Sequence, residues 1–323
     1  MTTGMSGFGL LRRRPWGGIV AVALGVFFLP VKAGEPTMAA AHHRVVFAQD
    51  TLANDWRRAQ AIELEREFGR HPRVSFRYTD AQGSAAHQIQ DIEEALARGV
   101  DLLIVSARDA ELTARVVEKA RAAGVRVMLL SRRVSTDAYD VFIHADNADI
   151  GRRAARRLVQ RLKGKGRILV LQGVPTASTA IERTEGFLDE IARSPGIQVV
   201  AVKPADYLRD KAVAAIEEAR AEGLRFDAIY AQSDSMAAGA RIALRRAGID
   251  PRGIPIVGID YIAEAREAIR KGEQDASFVY PTFAREGVAA ALKLLAGRRV
   301  PREIVVPTVM VTRDNVERVE PIF

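Results

Sequence analysis

Arginines, carboxylates, amides and aromatic residues recur at one kind of place in this 323-residue chain: directly after short apolar runs. VVFA, which starts at Val45, leads to Gln49, Asp50, Asn54 and Trp56, and VMLL leads to Ser131, Arg132 and Arg133. The run at Val141–Ile143 ends in His144, Asp146 and Asn147. In the second half ILVL is followed by Gln172, Thr179, Glu182 and Arg183, and IQVV by Asp206 and Tyr207. Gln232, Ser233 and Asp234 follow AIY, Asp260 and Tyr261 follow IVGI, and Tyr280 ends a last short run. Guanidinium groups donate in a plane, carboxylates and amides accept, and Trp or Tyr offers a flat apolar face. A sugar presents the complement, hydroxyls that donate and accept plus a C–H face. Asn54, Asp146, Ser233 and Asp234 also suit helix N-caps.

Catalysis has weaker support. The chain has no G-x-S-x-G, H-E-x-x-H or Walker motif, and no G-x-G-x-x-G after a strand-like run. Of five histidines only His144 approaches a strand end of interest, and it has no obvious partner. No carboxylate spacing singles out a glycosidase pair. With no cysteine, thiol nucleophiles, disulfides, Cys-ligated metals and a lipobox are excluded. No catalytic residue, metal or cofactor is expected.

The apolar runs must position these residues. They start at Val45, Val74, Leu102 and Val127, then at Ile168, Ile197, Ala228 and Ile256. Starts within each group fall one βαβ step apart, and continuous Val/Ile/Leu runs suit parallel strands covered on both faces. Between them Ala61, Leu64 and Phe68, and Ile89, Ile92 and Leu96, form helical stripes. Gly99, Gly124, Gly223 and Gly248 stand where helices should end. The pattern predicts an α/β protein with two doubly wound parallel-sheet lobes. Their strand C-termini face a shared cleft, where such sheets bind ligands. Further pieces at Ala263–Lys271, Ala276–Val279, Phe283–Leu295 and Ile304–Val311 exceed what the second lobe needs, so some should return to the first.

The formal charge is +8, and the basic residues are dispersed over helix-like segments such as Arg152, Arg153, Arg156 and Arg157. Solvated helix faces explain such charges better than a nucleic-acid stripe. Near the N-terminus Arg12, Arg13 and Arg14 precede an uncharged stretch from Pro15 to Val31, then Val31-Lys32-Ala33 and Ala39-Ala40-Ala41. Basic, apolar and small-residue regions in that order predict an export signal cleaved after Ala33 or Ala41. A retained anchor is the alternative, although the stretch barely reaches spanning length and contains Gly17, Gly18, Gly25 and Pro30.

LLSRR, HADN, LQGVPTASTAIERTEGF, KPADY, AQSDSMAAGA and VGID, in this order, resemble the periplasmic ribose- and galactofuranose-binding proteins of ABC transporters. The similarity covers about residues 44–312. It implies a type I periplasmic binding protein fold with a multi-strand hinge. The implied lobes are 44–145 plus 281–302 and 146–280 plus 303–323, after a signal segment at 1–41. It also implies sugar or polyol binding in the cleft, hinge closure, and delivery by a periplasmic monomer to an ABC permease. A sensor output to a chemoreceptor or histidine kinase is the alternative, and a glycoside-acting enzyme a minor one. A transcription regulator on this core would need an N-terminal DNA-binding segment where the export signal stands.

Residue by residue, the resemblance implies ligand contacts from Arg132, Arg183, Asp260, Ser233 with Asp234 beside it, and Tyr207. It adds Asp50, Asn54 and Trp56 near the first helix, Asn147, and Tyr280 on the return strand. Three departures stand out. Ser131 replaces the usual acidic residue, Ser233-Asp234 replaces Asn-Asp with Tyr280 in place of glutamine, and Asp55-Trp56-Arg57 replaces Pro-Phe-Phe. Arg57, Arg132, Arg133 and Arg183 leave room for an acidic or phosphorylated sugar, with Arg57 and Arg133 also open to a solvent-facing reading.

Overall fold

The computed structural model describes residues 42–323, so the expected export signal lies outside the described residues. The first lobe is built by β1 (His43–Gln49), α1 (Asp55–Phe68), β2 (Val74–Asp80), α2 (Ala85–Ala97), β3 (Leu102–Ser106), α3 (Ala110–Ala122), β4 (Arg126–Leu130) and β5 (Val141–His144). The LLIVS run of β3 is buried throughout, as a central strand covered on both faces requires. Gly99 and Gly124 take φ of 73° and 80° after α2 and α3, left-handed helix ends that glycine adopts without a Cβ clash.

The second lobe contains α4 (Asn147–Arg161), β6 (Gly166–Gln172), α5 (Ser178–Ile191), β7 (Ile197–Pro204), α6 (Arg209–Ala221), β8 (Ala228–Ala231) and α7 (Asp234–Arg246). It continues with β9 (Ile256–Val257), α8 (Ala263–Arg270) and β10 (Ala276–Phe278). The chain then returns through α9 (Ala284–Leu295), which packs on α1, and β11 (Glu303–Val305), and ends after β12 (Met310–Thr312). The sheet orders are β11-β5-β4-β3-β1-β2 and β12-β10-β9-β8-β6-β7. In each sheet the order reverses beside the lobe's first strand, so crevices open beyond the C-termini of β1 and β6.

The last strands differ from expectation. The segment 304–311 is not one piece: β11 pairs in parallel with β5 in the first lobe, and β12 pairs antiparallel with β10 in the second. The third crossing between lobes therefore follows Val305 rather than residue 302. Its direction follows from the geometry. β11 ends on the cleft side, so the chain enters the second sheet there and β12 must run against β10.

Helices α4 and α5 meet at backbone distance. A Cβ on Gly186 would lie 2.2 Å from the Ala148 carbonyl oxygen, and one on Gly151 would lie 2.4 Å from that of Arg183. Among the described residues no helix is long and apolar enough to cross a membrane.

Candidate ligand-binding site

Asn54 starts the site from the β1 side. Its Oδ1 accepts from the Arg57 amide (3.0 Å) to cap α1, and its Nδ2 donates across the cleft to the Tyr207 carbonyl oxygen (2.8 Å). The first turn of α1 then carries Trp56 and Arg57 to the cleft. The indole Nε1 donates to the Tyr280 carbonyl oxygen (2.8 Å), and the two rings lie 5.4 Å apart. Arg57 donates to Ser106 Oγ (2.6 Å) while its guanidinium sits 4.8 Å from the indole centroid. Further bonds join the lobes between Ala110 and Thr176, between Arg133 and Ser178, and between Asp55 and Ser235. The described conformation is closed.

Asn54→Ala removes both the cap and the bond to Tyr207. A lost cap costs about 1 kcal/mol, or about 2–4 °C in a protein of this size. The ligand-free variant is expected to show that drop in melting temperature and a larger radius of gyration in X-ray scattering. An unchanged radius would show that this bond does not hold the lobes together.

From the other lobe, the first turn of α5 supplies Thr179 and, one turn on, Arg183. Arg183 Nε donates to Asn147 Oδ1 (2.9 Å) and Nη1 to the Gln232 carbonyl oxygen (2.8 Å). Its guanidinium lies 4.5 Å from the Tyr280 ring centroid and 5.9 Å from that of Tyr207. The Tyr207 hydroxyl bonds Thr179 Oγ1 at 2.8 Å, and its ring lies over Gly173, where a Cβ would fall 2.0 Å from Tyr207 Cζ. These groups, together with Ser131, Ser233 and Asp260, line an interlobe cavity of about 20 Å³ in this closed form. That is room for about one water molecule, so the walls must part to admit a solute.

Three lining residues hold left-handed backbone: Ser131 at φ 70°, Tyr207 at 64° and Asp260 at 117°. Such conformations cost about 1–3 kcal/mol each and persist where surrounding structure imposes them, often at ligand sites. The Asp260 carboxyl is faced by the backbone amide of Asp234. Burial first, and the neighbouring Asp234 charge second, raise it well above the ordinary carboxylate range.

Asn54, Trp56, Arg183, Tyr207, Ser233, Asp260 and Tyr280 line the cavity. Asp50, Arg132, Asn147 and Asp234 do not. Arg132 Nη1 donates to Asp50 Oδ2 at 2.7 Å, and both residues are fully buried beside the cavity. Asn147 stands behind Arg183 as its acceptor. Asp234 turns away beneath the sheet end, accepting from the Tyr261 amide (2.6 Å), Ser277 Oγ (2.6 Å) and Gln274 Nε2 (2.7 Å). Arg57, Ser131 and Thr179 also line the cavity; the sequence left Arg57 open between cleft and solvent and assigned Ser131 and Thr179 no ligand contact. Consecutive first-turn positions explain Arg57 beside Trp56, and i, i+4 spacing pairs Thr179 with Arg183. Arg133 lies half exposed, over the Phe142 ring and paired with Glu303. His144 bonds the same carboxylate at 2.8 Å.

Burial pushes Asp234 up to about 6 against those three donors. A folded-state value above the unfolded one means that the native state binds the extra proton, so stability falls as pH rises from about 4 to about 6. Melting temperatures of the wild type relative to Asp234→Asn should therefore decline across that window. A constant difference would contradict it.

The model of a periplasmic binding protein domain matches residues 45–299. The chain belongs to the periplasmic binding protein family. A putative rhizopine-binding protein of Rhizobium meliloti is 32% identical over 251 residues, 75% of this chain and 81% of that protein. A galactofuranose-binding protein of Escherichia coli (strain K12) is 29% identical over 256 residues, 76% of this chain and 80% of that one. Among solved structures, the fructose-binding periplasmic domain of a hybrid two-component system has 32% identity and a TM-score of 0.81. The match covers 85% of this chain and 92% of that one. In this periplasmic binding protein, as the resemblance implied, the two lobes form the walls of one cleft.

Proposed function

We propose that this protein is a periplasmic solute receptor that encloses one sugar or related polyol between its lobes and delivers it to an ABC permease. One observation carries the reading. The closed lobes form a small cavity in which Arg57, Arg183 and Asp260 stand beside three aromatic side chains, an arrangement suited to hydroxyls around an apolar ring face. Net contributions of about 0.5–1.5 kcal/mol per neutral hydrogen bond and about 1.5–3 per charged one make micromolar or tighter binding attainable. The relatives named above support it by what they bind.

Asp50 and Arg132 would hold the wall, Asn147 would orient Arg183, and Asp234 would fix the turn that carries Asp260. Closure would rotate the lobes about the three crossings, near Asp146, Tyr280 and residues 306–309. The protein would act as a monomer that returns its solute unchanged, after export by the segment at 1–41. A sensor output is the second reading, favoured by the likeness to a periplasmic domain of a two-component system.

A thermal-shift screen of pentoses, hexoses, furanosides, polyols and sugar acids tests the proposal. A solute at 100 times its dissociation constant adds about 2.7 kcal/mol, a rise of several degrees. Nuclear magnetic resonance should then recover that solute unaltered. No shift with any member of the screen would reject sugar binding, and turnover would reject the carrier reading.

A further inference from the structure

The cavity is short of negative charge. Arg57, Arg132 and Arg183 are 5%, 1% and 3% exposed, so all three guanidinium groups are withdrawn from water. Asp50 serves most of them: it bonds Arg132 at 2.7 Å and lies 3.7 Å from Arg57 Nε and 3.8 Å from Arg108 Nη1. One carboxylate thus faces three cations. Arg183 has no carboxylate partner among the described residues, since its Nε and Nη1 bond the neutral oxygens of Asn147 and Gln232.

Among the remaining acids, Asp206 lies 3.7 Å from Arg108, and Glu182, raised by burial and facing Asn147 and Arg183, is not on the cavity lining. Asp260 lines the cavity, but burial and the neighbouring Asp234 favour its neutral form. Asp234 spends its charge on Tyr261, Ser277 and Gln274 and, through Gln274, faces Arg241. Arg57 shows the same shortage: burial, then the like charge of Arg132, lower it to about 10. Aromatic faces offset part of this, with Trp56 under Arg57 and Tyr280 under Arg183. A buried cation without a counter-charge is nevertheless costly, and a neutral hydroxyl supplies a lone pair but no charge.

We infer that the enclosed solute is a polyhydroxylated acid whose carboxylate lies between Arg57 and Arg183. Both residues line the cavity, and neither Nη2 has a partner among the described residues. A carboxylate accepts from two such donors at once and brings the missing charge. Asp260, on the same lining, then faces a hydroxyl of the solute. The inference rests on the sugar-binding reading and narrows it.

Isothermal calorimetry on the full mature chain decides it, with each pentose, hexose and polyol of the panel measured beside its aldonic or uronic acid, such as D-galactose with D-galacturonate. An acid should bind about tenfold or more tightly than its neutral counterpart, and Arg57→Gln should weaken the acid about 30-fold or more. Ser131→Asp restores a carboxylate to the lining at a left-handed position that aspartate tolerates, and it should reverse the preference. Neutral sugars binding as well as or better than their acids would overturn the charge inference and leave sugar binding intact. Failure of every member to bind would overturn both.

Discussion

Arg183→Ala is expected to abolish measurable solute binding while the protein still melts cooperatively within a few degrees of the wild type. The side chain enters the cavity between Tyr207 and Tyr280, and two of its nitrogens are fixed by Asn147 and Gln232. Its third nitrogen therefore reaches a bound solute from a preset direction. Truncating a buried, hydrogen-bonded charge at an interface costs about 2–5 kcal/mol, or about 30- to 4,000-fold in affinity. The effect on folding is smaller because the substitution also removes a desolvated cation that lacks an ion-pair partner. Calorimetry with the tightest solute from the screen reads the first effect and circular dichroism melting the second. Unchanged affinity would remove Arg183 from the site.

The second large effect lies away from the cavity. Gly186→Val forces a branched side chain into a gap where even a Cβ would meet the Ala148 carbonyl oxygen at 2.2 Å. Helices α4 and α5 must separate, and the bond between Asn147 on one and Arg183 on the other spans the same junction. Overpacking costs about 1–3 kcal/mol and occasionally more. Since backbone, not a flexible tip, receives the clash, the upper end applies. A fall in melting temperature of about 6–12 °C follows for that cost, with weaker binding at temperatures where the variant remains folded. Wild-type stability and affinity would show that the helices can part without cost.

The strands and helices were legible because buried parallel strands need unbroken apolar runs and their covering helices need stripes, and VMLL and ILVL can hardly serve another end. The cleft followed, since residues after such strands gather on one side. Individual roles were less accessible. Ser233 and Asp234 are neighbours, and only the rotation of α7 puts the serine on the cavity and the carboxylate under Tyr261. Ser131 and Arg132 diverge because the chain turns at φ 70°, a backbone choice that carries no signature in a serine. Arg57 stays open between cleft and solvent until the first turn of α1 is seen to enter the cleft. The division of 304–311 depends on pairing with β5 and β10, strands far away in sequence.

The triple crossing also orders assembly in time. The helix that covers α1, and the edge strand beside β5, come from residues beyond 283, so the first lobe to be synthesised stays incomplete until most of the second has been made. A growing chain has β1 to β5 early but lacks the late pieces that seal one end of their sheet. It therefore keeps an open strand edge and an uncovered helix face until nearly the whole sequence has left the ribosome. A polypeptide threaded through a narrow channel before it folds benefits from such a delay.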